Sequence, residues 1–285
     1  MIYLKSFRLL NEDDEWHILV SGDKRTYFNN IYPFKIFPQK EFTDMEFSNI
    51  TIFYGNNGSG KTTLLNIIAD KINAQRKNEV SFGRYFDLYL KGNVEAKLSD
   101  FNKPDEIKFI SSNDVFDYLL DVQAINSNID RKKEQLAQEF MDYKFSESSN
   151  FYDDFEALKK KNQANKVTMS KYVKTHLGNN NIIGQSNGET SLFFFEKEIK
   201  ENGIYILDEP ENSLSPSNQI KLKKFIEESV RFFNSQFIIS THSPFLLDLM
   251  DARIYDLDST PVCVKNWLEL DNIKEYIEFF KKYIK

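Results

Sequence analysis

Gly55-Asn56-Asn57-Gly58-Ser59-Gly60-Lys61-Thr62 fits the pattern G-x-x-x-x-G-K-[ST]. Directly before it stands Ile50-Thr-Ile-Phe-Tyr54, a β-branched and aromatic run that reads as a strand buried on both faces. Directly after it, Thr62–Ile72 carries Leu64, Leu65, Ile67, Ile68 and Ile72 at helical spacing. Strand, glycine loop and helix in this order make a phosphate cradle. Successive backbone N–H groups must turn inward onto phosphate oxygens, through a bend that side chains resist. The helix adds its N-terminal N–H groups and dipole to the same anion site. Lys61 reaches the β- and γ-phosphates, the Thr62 hydroxyl is a magnesium ligand, and Thr63 completes the stretch expected to hold a nucleoside triphosphate.

Two further apolar runs end in chemistry. Ile204-Tyr-Ile-Leu-Asp208-Glu209-Pro210 is a strand closed by two carboxylates. Asp208 is placed to hold magnesium, and Glu209 to orient and deprotonate an attacking water. Phe237-Ile-Ile-Ser-Thr-His242-Ser-Pro is another buried strand, ending in a histidine. At the carboxyl end of a parallel strand that histidine lies in the ligand crevice, where it can meet the γ-phosphate and the water. Either pair alone also fits an ordinary strand end; the upstream phosphate loop is what turns both toward catalysis.

Composition narrows the class. The chain has 285 residues and a formal charge of −6. That excludes a polybasic surface tracking phosphate throughout. With 41% apolar residues and 26 Phe, it can bury a sizeable core. Cys263 is the single cysteine, and His17, His176 and His242 are widely spaced, so no thiolate zinc cluster or histidine metal site is expected. No signal-like run and no stretch of about 18 apolar residues occurs, so the expectation is a cytoplasmic protein without membrane insertion.

Strands are expected at Tyr3–Leu10 and Trp16–Val20 with an acidic turn between them, at Ile31–Phe37, at Phe82–Leu90 and at Ile107–Ile110. The polar middle, about 114–178, reads as two or three helices, for example Val115–Phe140 and Phe151–Lys161. Its Lys159–Lys174 stretch holds six lysines and no acid; a solvated helix face is the commoner explanation, and a contact to nucleic-acid phosphates or to an acidic partner the other. Beyond it, helices are expected at Ser217–Phe233 and Asp271–Ile284; the apolar face of the last, Ile273, Tyr276, Ile277, Phe280 and Ile284, reads as core packing.

Gln185-Ser186-Asn187-Gly188-Glu189 precedes the apolar helix Thr190–Ile199 and lies shortly before the acidic strand. This order of motifs resembles the ATP-binding cassette ATPases, whose signature there is typically L-S-G-G-Q. The Ser186, Gly188, Glu189 pattern, Thr241-His242-Ser243-Pro244 and the Pro210–Pro216 run look more like the structural-maintenance-of-chromosomes, RecF-like and OLD-type branch, and most like compact stand-alone bacterial members. The resemblance covers Ile50–Thr63 and Ile182–Asp258. It implies an α/β fold, a P-loop NTPase of ATP-binding cassette type. Its mixed sheet is flanked by helices, with an antiparallel N-terminal β subdomain and a helical lobe inserted at about 114–178 of a single domain. It further implies ATP and Mg2+ as cofactors and a head-to-tail homodimer, in which Ser186, Asn187, Gly188 and Glu189 of one copy meet the γ-phosphate held by the other. It assigns Asn113 to the position where relatives place a magnesium- and water-contacting glutamine, although a helix N-cap explains Asn113 equally. Transporter cassettes stack adenine on an aromatic residue upstream of the phosphate loop; Tyr32 and Phe34 are candidates among the many aromatics of this chain, and neither is assigned that place.

The function expected is an ATPase switch in DNA repair or anti-phage defence, with nucleic acid or a separately encoded effector as partner. The motor subunit of a membrane transporter is the alternative, and a nucleotide-binding scaffold without turnover the third reading.

Overall fold

A computed structural model describes residues 1–21, 31–78, 83–145, 155–177 and 187–283. They fall into two compact units, Met1–Phe116 with Asn187–Lys285, and Asp117–Ser186. The strands are β1 (Leu4–Arg8), β2 (Asp44–Glu46), β3 (Ile50–Tyr54), β4 (Glu95–Leu98), β5 (Glu106–Ser111), β6 (Gly203–Asp208), β7 (Gln236–Ser240), β8 (Arg253–Asp256) and β9 (Cys263–Lys265). The helices are α1 (Glu12–Ser21), α2 (Lys61–Lys71), α3 (Arg84–Lys91), α4 (Ser112–Phe145), α5 (Phe155–Lys166), α6 (Met169–Leu177), α7 (Asn187–Glu198), α8 (Pro216–Phe232), α9 (Pro244–Leu247) and α10 (Asp271–Lys281).

The first unit is built on a six-stranded mixed sheet in the order β5-β6-β7-β3-β8-β9. Its strands run parallel except β9, which pairs antiparallel with β8. Every residue of β3, β6 and β7 is buried, which is why these strands read as unbroken apolar runs. The strand before the phosphate loop therefore lies between β7 and β8, and the loop opens at the carboxyl edge of the sheet. A smaller antiparallel sheet, β2-β1-β4, is the expected N-terminal β subdomain. Gln236 joins the two sheets. Its Oε1 accepts from Tyr3 N and Leu4 N at 2.9 and 2.8 Å, and its Nε2 donates to Leu4 O and Ser48 O at 2.9 and 3.0 Å.

Four expectations need correction. The residues Trp16–Val20 are helical, within α1, and the acidic run is that helix's first turn. Asn11 and Asp14 cap each other's backbone amides, at 2.8 and 3.4 Å, and the acids suit the helix dipole. The described part of Phe82–Leu90 is the helix α3, which buries Phe86 and Tyr89 on one face. Ile31–Phe37 forms turns rather than a strand; Phe34 N donates to Ile31 O at 2.9 Å and Lys35 has φ 67°. The apolar face of α10 is not core. Ile273 is buried, while Tyr276, Ile277 and Phe280 are each more than a third exposed, and Ile284 lies outside the described residues. Amphipathic spacing fixes which face is apolar and says nothing about what covers it.

The second unit contains the greater part of α4 together with α5 and α6. Phe140, Ala164 and Tyr172 form its small core, with Leu136, Tyr143 and Val167 packed against them. Lys160 reaches Glu139 at 2.7 Å, whereas Lys166, Lys171 and Lys174 are exposed.

Candidate functional site

The loop that follows β3 bends at Gly58 and Gly60, with φ of 84° and 98°, values that disfavour any side chain. Lys61 opens α2 and is 4% exposed. Its Nζ donates to Gly55 O at 2.8 Å and Asn56 O at 3.2 Å, and lies 3.5 Å from Glu209 Oε1. The Ser59 hydroxyl is buried without a partner among the described residues. Asn56 N donates to Asp258 Oδ2 at 2.8 Å. Asn57 lies in the turn of this loop, exposed.

Asp208 ends β6 and faces the same place. Thr62 Oγ1 donates to its Oδ1 at 3.2 Å, and Ser240 Oγ donates to the same atom at 2.5 Å. Burial pushes the Asp208 carboxyl above its ordinary range; the Ser240 and Thr62 hydroxyls pull against that, Glu209 adds to it, and Lys61 pulls against it. Glu209 adopts a left-handed conformation, φ 49° and ψ 55°, uncommon for a residue with a side chain. Its amide donates to Ser240 O at 3.1 Å, and its Oε2 accepts from Asn212 Nδ2 at 3.0 Å.

His242 follows β7, two residues beyond Ser240, with its side chain about half exposed. Its amide donates to Glu211 Oε1 at 3.0 Å. Its carbonyl accepts from Asn272 Nδ2, at the start of α10, at 3.1 Å. Gly55–Thr63, Asp208, Glu209 and His242 thus stand on adjoining strand ends, linked by Ser240 and Glu211. Neither linking residue stood out in the sequence. The one available signal is that Ser240 lies in the same terminal stretch as the histidine, and Glu211 three residues after Asp208.

The remaining expected residues differ. Asn113 is exposed in the first turn of α4 and is not the cap. The capping residue is Ser111: Asp114 N donates to Ser111 Oγ at 3.3 Å, and Ser111 N donates back to Asp114 Oδ2 at 2.8 Å. Ser111 is paired with Asp208 in register, so Asn113 follows the strand end beside the acidic pair. Ser186 lies outside the described residues, as does Gln185. Asn187 opens α7, followed by Gly188 and Glu189 in its first turn. A Cβ on Gly188 would meet Asn218 Nδ2 at 2.3 Å, so glycine is what lets α7 press on α8 here. Neither aromatic candidate offers a bare ring: Tyr32 stacks on Phe86 and donates its hydroxyl to Thr63 Oγ1 at 3.1 Å, while Phe34 is buried edge-on against Tyr85 and Tyr89.

Thr62 Oγ1 and Asp208 Oδ1 are hard oxygen donors already side by side. That pair fits Mg2+, which binds through one or two protein oxygens together with substrate phosphates. Among the described residues no cluster of three or more His, Cys, Asp or Glu offers an all-protein metal cage, and no helix is long and apolar enough to cross a membrane.

Residues 121–247 match the family described as AAA ATPase domain. No curated protein matches the chain. Among solved structures, the chain is similar to the SMC head domain from Thermotoga maritima, at 14% identity over 93% of this chain and 99% of that one, TM-score 0.40. It is likewise similar to the Smc head domain of Pyrococcus furiosus bound to the C-terminal domain of ScpA, at 14% identity over 100% of each chain, TM-score 0.40. A nucleotide-free ATP-binding cassette from an ABC transporter aligns at 15% identity over 100% of each chain, TM-score 0.38. The match to the AAA ATPase domain family thus covers the stretch from within α4 to α9, which includes Asp208, Glu209 and His242.

Proposed function

We propose that this ATPase domain is an ATP-binding and hydrolysing switch that closes head to tail on a second copy of itself. The observation that carries the reading is the convergence of Lys61 with Glu209 at 3.5 Å and of Thr62 with Asp208 at 3.2 Å. A phosphate loop and two carboxylates from a strand 146 positions away would not meet in this order in a simple anion-binding loop.

In this reading the loop amides of Gly55–Thr63 bind the phosphates, and Lys61 exchanges its carbonyl contacts for phosphate oxygens. Glu209, released from Lys61, accepts a proton from the attacking water, and His242 orients the γ-phosphate side. Thr62 and Asp208 would hold Mg2+, which when bound supplies positive charge against the triphosphate.

The second half of each pocket is the Ser186–Glu189 segment of the other copy. Its support is the place of Asn187, Gly188 and Glu189 in the first turn of the 12-residue α7, whose positive dipole end suits an anion. ATP then joins the two copies and hydrolysis loosens them. The output is read as DNA repair or anti-phage defence through nucleic acid or a separately encoded partner protein. The exposed Lys166, Lys171 and Lys174 support a nucleic-acid contact.

The test is size exclusion of Glu209→Gln with ATP and Mg2+. A dimer that dissolves when ATP is withdrawn is expected; a monomer at every ATP concentration refutes the shared site. Material retained on the trapped dimer then identifies the partner.

A further inference from the structure

Glu211 is a carboxylic acid buried to 6% exposure, three residues beyond Asp208, and the reaction outlined above gives it no part. The short 3-10 turn Pro210–Ser213 swings its side chain back into the sheet edge. There Oε1 accepts from Thr241 Oγ1 at 2.7 Å and from His242 N at 3.0 Å. Thr241 Oγ1 also accepts from Ser243 N at 3.0 Å, so the hydroxyl is held between the two. The same oxygen lies 3.5 Å from His242 Nδ1. That is long for a hydrogen bond, yet close enough for an acceptor to favour a proton on the facing nitrogen. Oε2 is buried with no partner among the described residues, so the group is not held there by a full set of bonds of its own. A buried carboxyl with a vacant oxygen is costly unless it does something else.

We infer that Glu211 is the positioning residue of His242: it holds the Thr241 hydroxyl and the His242 amide, selects the imidazole tautomer protonated at Nδ1, and leaves Nε2 as the outward-facing acceptor. The inference rests on the reading of His242 as a nucleotide-facing residue. Oε1 is an acceptor whether or not Oε2 carries a proton, since both of its bonded neighbours are donors. The tautomer therefore follows from the geometry of Thr241 and the His242 amide. The arrangement also says which variant should rescue. Glutamine at this place keeps a carbonyl oxygen for Thr241, the His242 amide and Nδ1; alanine removes all three contacts.

With only three histidines in the chain, nitrogen-15 imidazole spectra are readily assigned by comparison with His242→Gln. They are recorded at about pH 8.5, well above the ordinary histidine range. The wild-type His242 ring is expected in the Nδ1–H form, Glu211→Gln should keep it, and Glu211→Ala should move it toward Nε2–H. In ATP turnover, Glu211→Ala is expected to lower kcat about 10- to 100-fold, the usual effect of removing a group that orients a functional histidine. KM should stay within about threefold, and Glu211→Gln should recover most of the loss. If Glu211→Ala does not fold, Glu211→Met fills the volume without an acceptor and takes its place. An Nε2–H ring in the wild type, or an unchanged ring in the alanine or methionine variant, overturns the inference. So does a change confined to KM. A wild-type protein without ATP turnover would instead remove the ATPase reading, and the ring spectra would still decide the role of Glu211.

Discussion

β5 and β6 run side by side, with Ser111 opposite Asp208, and both give way to acidic residues, but the acids have opposite employment. After β5, Asp114 turns back on its own chain and takes the Ser111 amide and hydroxyl, at 2.8 and 2.7 Å. Its Oδ2 closes a helix start locally, while its Oδ1 accepts one longer contact from Asn78 Nδ2 at 3.4 Å. After β6, Asp208 and Glu209 look across the sheet edge to Thr62, Ser240 and Lys61, none of them within thirty positions. A carboxylate at a strand end is thus defined by its partners. The β5 acid stabilises the fold, whereas the β6 acids stand as neighbouring like charges in a partly buried place, an arrangement that costs stability and that the proposed function puts to chemical use.

The largest effect should come from Glu209→Gln, which is expected to lower ATP turnover by about 10²–10⁴ while ATP binding, measured by titration calorimetry, is kept. An intact rate would move the general base elsewhere and dissolve the contrast. Next, the two neighbouring aspartates should respond in opposite senses. Asp114→Ala removes the carboxylate half of a capping box, which accepts from the Ser111 amide and hydroxyl, and should lower stability by about 0.5–2 kcal/mol in denaturant unfolding, with turnover retained. Asp208→Asn should instead raise the melting temperature of the metal- and nucleotide-free protein at neutral pH by about 2–4 °C, the shift that roughly 1 kcal/mol gives in a domain of this size, while ending turnover. The sign follows from the Asp208 carboxyl, whose folded form holds its proton above the ordinary value of 3.8. Stability is therefore lost as pH rises through that range, and the asparagine advantage should shrink as the buffer is taken down to it. The smallest effect is at Asn113, exposed and without a side-chain hydrogen bond among the described residues. Asn113→Ala should change kcat by less than about threefold, and a larger loss would bring the β5 end into the reacting site.

The same contrast decides what could be read from the sequence. The phosphate loop, β3, β6 and β7 were legible almost to the residue. Ile204–Leu207 as expected became Gly203–Asp208 as found, because a fully buried parallel strand has one chemical character from end to end. α1 and α3 were misread as strands. Aromatic and branched residues in short runs fit both periods, and the deciding features are a cap made by Asn11 and the burial of Phe86 with Tyr89. Within the site, Lys61, Thr62, Asp208, Glu209 and His242 announce themselves through motif spacing. Glu211 and Ser240 do not, since each acts through a residue some thirty positions away that only strand pairing brings near.

Gln236 imposes an order of assembly. One amide side chain satisfies the backbone of β1 from more than two hundred residues further along. As the polypeptide emerges during synthesis, β1 and β2 can meet early, but the seam between the two sheets cannot be sewn until β7 has been made. Formation of that seam belongs with the slow, long-range events of folding, whose loop entropy must be overcome before the contacts are gained. A nascent chain arrested before residue 236 would hold its small sheet unanchored, with the phosphate loop already translated and its neighbouring strand still missing.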